Sequence, residues 1–213
     1  MKLTEKHRPV DMAGLIGQDK ISRVVGRLVD NEDLTGRAYY ISGASGTGKT
    51  TLARILADMV ADKDYIREVV GRQLTPNMIK DITWGWQLYP MSTKPGQVLI
   101  VNESHGLTKP VIEIFLDVLE NLPDNILVIF TTTKDGADLF EDNLDSIPFA
   151  SRCIDLKFTT RGLCEPFADR LKEIAELEGL GGADLDKYKK LLKNNRNNFR
   201  SALMAIDAGQ MMG

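Results

Sequence analysis

The stretch RAYYISGASGTGKTTLARILADMVA, Arg37 to Ala61, decides the fold. Its first six residues are rich in aromatic and apolar side chains and lie between Gly36 and Gly43, as a strand would. Its last dozen place Leu52, Ile55, Leu56 and Met59 at helical spacing. Between them GASGTGKT, Gly43 to Thr50, fits the pattern G-x-x-x-x-G-K-[ST]. Each residue type there has a physical task. Glycine lets the backbone curl so that its N–H groups converge on phosphate oxygens, and the following helix adds the positive end of its dipole. Lys49 brings a mobile charge to the β- and γ-phosphates, and the Thr50 hydroxyl suits Mg²⁺. The four fixed positions would match by chance in roughly 1% of chains this long. The loop predicts an ATP site formed by Gly43, Ser45, Gly46, Thr47, Gly48, Lys49, Thr50 and Thr51.

About fifty residues further on, QVLIVNESHGL (Gln97 to Leu107) reads as a buried strand that ends in Asn102-Glu103. Glu103 at the carboxyl end of such a strand is placed to polarise an attacking water. Nucleotide-hydrolysing proteins usually carry Asp where Asn102 stands. An amide oxygen still accepts from a metal-bound water but brings no charge, and Mg²⁺ favours carboxylates and phosphates. Asn102 is therefore expected to soften the Mg²⁺ site and slow turnover without abolishing it. NILVIFTTT is a third strand ending in Thr131, Thr132 and Thr133, and RCIDLKF a fourth. KPVIEIFLDVLENLP between them is an amphipathic helix. Strands alternating with helices predict an α/β fold with a parallel sheet flanked by helices. From about Thr160 the pattern changes to three helical segments without strands. The division expected is an α/β nucleotide-binding domain over 1–160 and a small three-helix lid domain over 161–213.

Composition excludes more than it identifies. Hydrophobic residues make up 43% and charged residues 27%, and the apolar runs are too short to span a bilayer. A cytoplasmic protein without membrane contact is the expectation, in a bacterium or a phage-infected host. Two cysteines do not make a disulfide framework, and a four-Cys zinc module is impossible without other ligands, for which only His7 and His105 are available. A net charge of −3 gives no overall field toward nucleic acid.

The order of motifs resembles the clamp-loader family of AAA+ P-loop ATPases, over nearly the whole chain. EKHRPVDMAGLIGQ looks like the family's adenine-wrapping opening, which assigns Arg8, Pro9, Ile16 and Gly17 to the nucleotide. VLIVNESHGL is similar to the family's second acidic strand, and FASRC carries its Ser-Arg-Cys motif at Ser151-Arg152-Cys153. NNFRSALMAID is similar to its second sensor helix. The resemblance implies Arg152 as an arginine finger acting in a neighbouring subunit and Arg200 as the lid residue on the γ-phosphate. It implies Thr133, with Thr132 as the alternative, as the first sensor, and Thr50 and Asn102 as Mg²⁺ contacts through water. The partners implied are other clamp-loader subunits, a sliding clamp and primer–template DNA. Glu113, Asp117 and Glu120 give the helix after Lys109 an acidic face, so DNA contact by this chain is expected to be weak or indirect. No segment matches the family's collar domain, so assembly is expected through the AAA+ faces or on another chain's scaffold. Two alternatives stay open: another AAA+ ATPase of replication or recombination (a helicase loader or branch-migration motor), or a nucleotide-binding scaffold with little hydrolysis.

Overall fold

Five strands, all parallel, build one sheet in the order β2-β3-β4-β1-β5. The computed structural model describes residues 1–88, 90–133, 149 and 151–211. In chain order the elements are α1 (Leu3–Lys6), α2 (Asp19–Asp30), β1 (Arg37–Ser42), α3 (Lys49–Val60), β2 (Ile66–Val70), α4 (Pro76–Gly85) and β3 (Gln97–Asn102). They continue as α5 (Lys109–Glu120), β4 (Ile126–Thr131), β5 (Cys153–Lys157), α6 (Cys164–Leu177), α7 (Leu185–Asn194) and α8 (Phe199–Asp207).

Alternation along the strands divides the apolar residues between two faces. Tyr39, Ile41, Val98, Ile100, Leu127 and Ile129 bury against α2 and α3. Ala38, Tyr40, Leu99, Val101, Val128 and Phe130 bury against α4 and α5. A central strand covered on both faces has no polar side, which is why β4 reads as an unbroken apolar run. The second face is locked by edge-to-face packing of Phe130 on Phe115 and on Phe149, with ring centroids 5.1 and 4.8 Å apart.

A third apolar cluster belongs to α6, α7 and α8, with Phe167, Leu171, Tyr188, Leu192, Leu203 and Ile206 at its centre. Leu3 of α1 is buried in this cluster, and Lys6 and His7 both pair with Glu178 beyond α6. The opening segment thus carries a helical turn that packs on the last helices. Gln18, 3% exposed, ties the same segment to the exit of β5 by donating to the Thr159 carbonyl at 3.0 Å.

Two other details differ from the sequence reading. The edge strand β2 is not foreseen there: it is five residues long, carries Arg67 and Glu68, and is only half buried. Met59, placed by spacing on the buried face of α3, is 42% exposed and borders an open groove with Val29 and Pro95. Among the described residues no helix is long and apolar enough to cross a membrane.

Candidate functional site

Parallel strands bring their carboxyl ends to one edge of the sheet, and the sequence motifs converge there. Ile41 of β1 is in register with Thr131 of β4, and Val101 of β3 with Phe130. The loop after β1 therefore lies beside the ends of β4 and β3. Gly48 caps α3 with φ 106°, a left-handed conformation that favours glycine. Gly46 is constrained by space as well. A Cβ there would stand 1.9 Å from Oδ1 of Asn198, which accepts from Ser201 N at 3.1 Å and starts α8. The loop after β1 and the start of α8 thus touch.

Within the loop, the Lys49 ammonium and the Thr47 hydroxyl both donate to the Ala44 carbonyl, at 2.7 and 2.9 Å. Burial pushes the Lys49 ammonium down to about 8; the Glu103 carboxylate opposes this shift and the Arg200 charge adds to it. Arg200 is exposed and has no carboxylate partner among the described residues. Arg200 is near enough for its charge to act on Lys49, and two neighbouring cations make a field that attracts phosphate.

Thr50 donates to Oδ1 of Asn102 at 3.4 Å, and Thr131 donates to the same oxygen at 2.8 Å. The amide nitrogen of Asn102 donates to Glu68 at 2.6 Å, and Arg54 holds that carboxylate through two bonds of 3.0 and 3.1 Å. An all-oxygen set of Thr50 and Asn102 fits Mg²⁺, a hard cation that keeps waters and takes few protein ligands. Among the described residues no cluster of three His, Cys, Asp or Glu could replace them.

Glu103 has φ 53° and ψ 49°, rare for a residue with a side chain. The turn is held by Gly106 N donating to the Glu103 carbonyl at 2.9 Å and is packed so closely on Gly71 that a Cβ there would stand 2.7 Å from that oxygen. The Glu103 carboxylate lies 3.3 Å from His105 Nε2, and His105 Nδ1 lies 3.2 Å from the Thr132 hydroxyl. His105 so connects the second acidic strand to the end of β4. Thr133 is exposed one residue further on, whereas Thr131 and Thr132 are buried.

A cleft opens between the α/β layers and α6–α8. Arg8, Pro9, Ile16, Gly46, Thr47, Gly48, Thr51 and Arg200, all assigned above to the nucleotide, line it. Five assigned residues do not line it. Lys49 and Thr50 face the strand ends, Ser45 is exposed, and the space beside Gly17 and Gly43 is filled by Leu163 and Phe158. Sequence reasoning missed Phe167, Arg170 and Phe199, which also line the cleft. Their helical spacing marks them only as an amphipathic face, with nothing to say that a ligand meets it. Asn197, just before α8, holds φ 56°, a conformation that asparagine tolerates better than most residues.

The opposite edge of the sheet holds Arg152. Phe149, 1% exposed, anchors this segment in the aromatic cluster, and Arg152 N donates to its carbonyl at 3.2 Å. Cys153 is in register with Ala38, so Arg152 lies about 17 Å below Ser42 along the strand direction. Its guanidinium pairs with Glu120 at the end of α5. Glu113, Asp117 and Glu120 are all exposed along that helix. Burial pushes the Cys153 thiol up to about 12, which leaves it an inert packing group.

Residues 39–148, just over half of the chain, match the family described as AAA, the ATPase family associated with various cellular activities. This chain belongs to that family. It is similar to DNA polymerase III subunit gamma/tau of Mycoplasma pneumoniae, 28% identical across 96% of this chain and 32% of that protein. It is also similar to a probable replication factor C subunit 5 of Dictyostelium discoideum, 26% identical across 83% of this chain and 50% of the relative. Among solved structures it is similar to Thermotoga maritima RuvB, a Holliday junction branch migration motor. The TM-score is 0.71 at 21% identity, covering 94% of this chain and 64% of that one. The chain thus spans about a third of the gamma/tau relative it matches.

Proposed function

We propose that this chain is an ATP-hydrolysing subunit of a machine that opens a sliding clamp and loads it on primer–template DNA. The observation that carries this reading is the likeness to DNA polymerase III subunit gamma/tau along 96% of the chain. Arg152 supports it: a cation so far from its own phosphate loop can serve a nucleotide only in a neighbouring subunit.

The residues divide the work. The loop amides, Lys49 and Arg200 hold the triphosphate, while Arg8, Pro9, Ile16 and Gly17 shape the adenine side. Thr50 and Asn102 would hold Mg²⁺ through its waters, and the ion would supply charge neutralisation for the triphosphate. Glu103 leaves His105 to orient and polarise the attacking water. Thr133, or its buried neighbour Thr132, reports the γ-phosphate to the end of β4. Residues 161–213 act as a lid over residues 1–160, closing as Arg200 meets the γ-phosphate. Other subunits of the same assembly complete the site through Arg152.

The test is ATP turnover by this chain with and without a sliding clamp and primed DNA. Clamp binding in ATP and stimulated turnover are expected, with turnover abolished in Glu103→Gln while ATP still binds. Failure to bind any clamp in ATP would overturn the reading. A second reading, a branch-migration motor, is favoured by 22% identity to RuvB of Mycoplasmopsis pulmonis across 92% of this chain. It predicts rings on junction DNA that hydrolyse ATP without a clamp. ATP binding without turnover under every condition would instead leave a nucleotide-gated scaffold.

A further inference from the structure

We infer that Glu68, on the edge strand β2, is a positioning residue of the Mg²⁺ site and supplies the negative charge that Asn102 lacks. The inference rests on the nucleotide-site reading above and on three distances. An asparagine at the end of β3 has two nearly isosteric faces, and only one of them serves a metal. With its oxygen toward Thr50 it accepts from metal-bound water; with its NH₂ there it would turn donors toward a cation. An ionised carboxylate can only accept. Glu68, 2.6 Å from the amide nitrogen, therefore fixes the NH₂ on its own side and leaves Oδ1 for Thr50 and Thr131.

Charge passes the same way. An anion accepting from an amide N–H polarises the amide and strengthens its oxygen as an acceptor. The Glu68–Asn102 pair thus presents an oxygen backed by a carboxylate, with the formal charge moved from β3 to the adjacent strand. Arg54 on α3 holds Glu68 in place with a bidentate contact, so the carboxylate does not turn away into solvent. The register of β2 on β3 puts Glu68 opposite Ile100, two residues before Asn102, on the face of the sheet that carries α3. The arrangement also bears on the missing aspartate. A carboxylate at position 102 would stand against Glu68, so the two positions are linked: Asn with Glu, or Asp with a neutral partner.

The test is a Mg²⁺ titration of binding of a fluorescent ATP analogue to the full chain, with binding in EDTA as the control. Glu68→Gln keeps the shape of the side chain, lets it present either an oxygen or an NH₂ to Asn102, and removes the charge. Its Mg²⁺ midpoint is expected to rise roughly 10-fold, as for loss of an outer-shell ligand partner, with affinity in EDTA unchanged. The double variant Glu68→Gln, Asn102→Asp is expected to return the midpoint to the starting value or below it. An unchanged midpoint in Glu68→Gln overturns the inference. So does a double variant as impaired as the single one, which would trace the loss to the β2–α3 contact rather than to Asn102. Failure of the unaltered chain to bind the analogue at all would overturn the nucleotide-site reading instead.

Discussion

The two edges of the sheet carry the same kinds of residue and treat them differently. At the carboxyl edge Lys49, Thr50, Asn102 and Glu103 are drawn together by loops and strand ends, each touching another group of the same edge. At the amino edge Arg152 stands apart, anchored from behind by Phe149 and paired with Glu120, whose side chain is 54% exposed. On the function proposed above, one edge is organised around a ligand that this chain binds, and the other offers a charge to a ligand that another chain binds. The separation of about 17 Å forbids them to act on one nucleotide within one subunit.

The largest effect that would sharpen this contrast is expected at the amino edge. Arg152→Ala should lower assembly-dependent ATP turnover by about 10³-fold or more while ATP affinity of the isolated chain stays within error. Loss of ATP affinity in the isolated chain would erase the division between the edges. Lys49→Ala is expected to weaken ATP binding by roughly 100-fold, the loss of about two charge-assisted contacts. Its melting temperature should not fall, because the substitution removes a buried charge; equilibrium binding and thermal unfolding check the two halves.

The smallest effect concerns protons. Burial holds folded Lys49 at about 8, below its ordinary 10.5. Below about 8 the lysine is charged whether folded or unfolded. Between about 8 and 10.5 only the unfolded chain keeps the proton, so this residue's contribution to stability should fall as pH drops from the top of that window to the bottom and, read the other way, the unfolded chain's extra proton makes stability rise with pH across it. Phosphate oxygens beside the amine draw a proton onto it, and ATP binding at pH 8 should take up about half a proton per site. Calorimetry in two buffers of different ionisation heat measures it. No uptake would mean that Lys49 is already charged in the empty site.

The sequence made the phosphate-loop edge legible because its chemistry is local. GASGTGKT fixes a turn, a charge and a helix start within eight residues, and β1, α3 and α5 fall where periodicity puts them. The second half of the site was legible only in part. Asn102 could be read as a weakened metal contact, but its partner could not, since Glu68 lies thirty-four residues earlier in a strand with two charged residues and no turn signal. The alternation Ile66, Glu68, Val70 was the available trace, and five residues were too few to outweigh their polarity. Phe167, Arg170 and Phe199 were hidden for another reason. They meet the cleft only after three helices fold back over the loop, which spacing along one helix does not encode.

The asparagine also changes how repair of the site should be attempted. By sequence alone Asn102→Asp promises faster turnover. Beside Glu68 that single change sets two carboxylates against each other, so the gain belongs to the pair of changes and not to either one.

Glu103 holds a left-handed backbone where glycine would sit without strain. Roughly 1 kcal/mol of folding free energy is forgone at that one residue. A library screened only for heat resistance would drift toward glycine there, gaining melting temperature as it discards the carboxylate. Durability and turnover select in opposite directions at a single codon, and any stabilised version of this chain should have that codon held fixed.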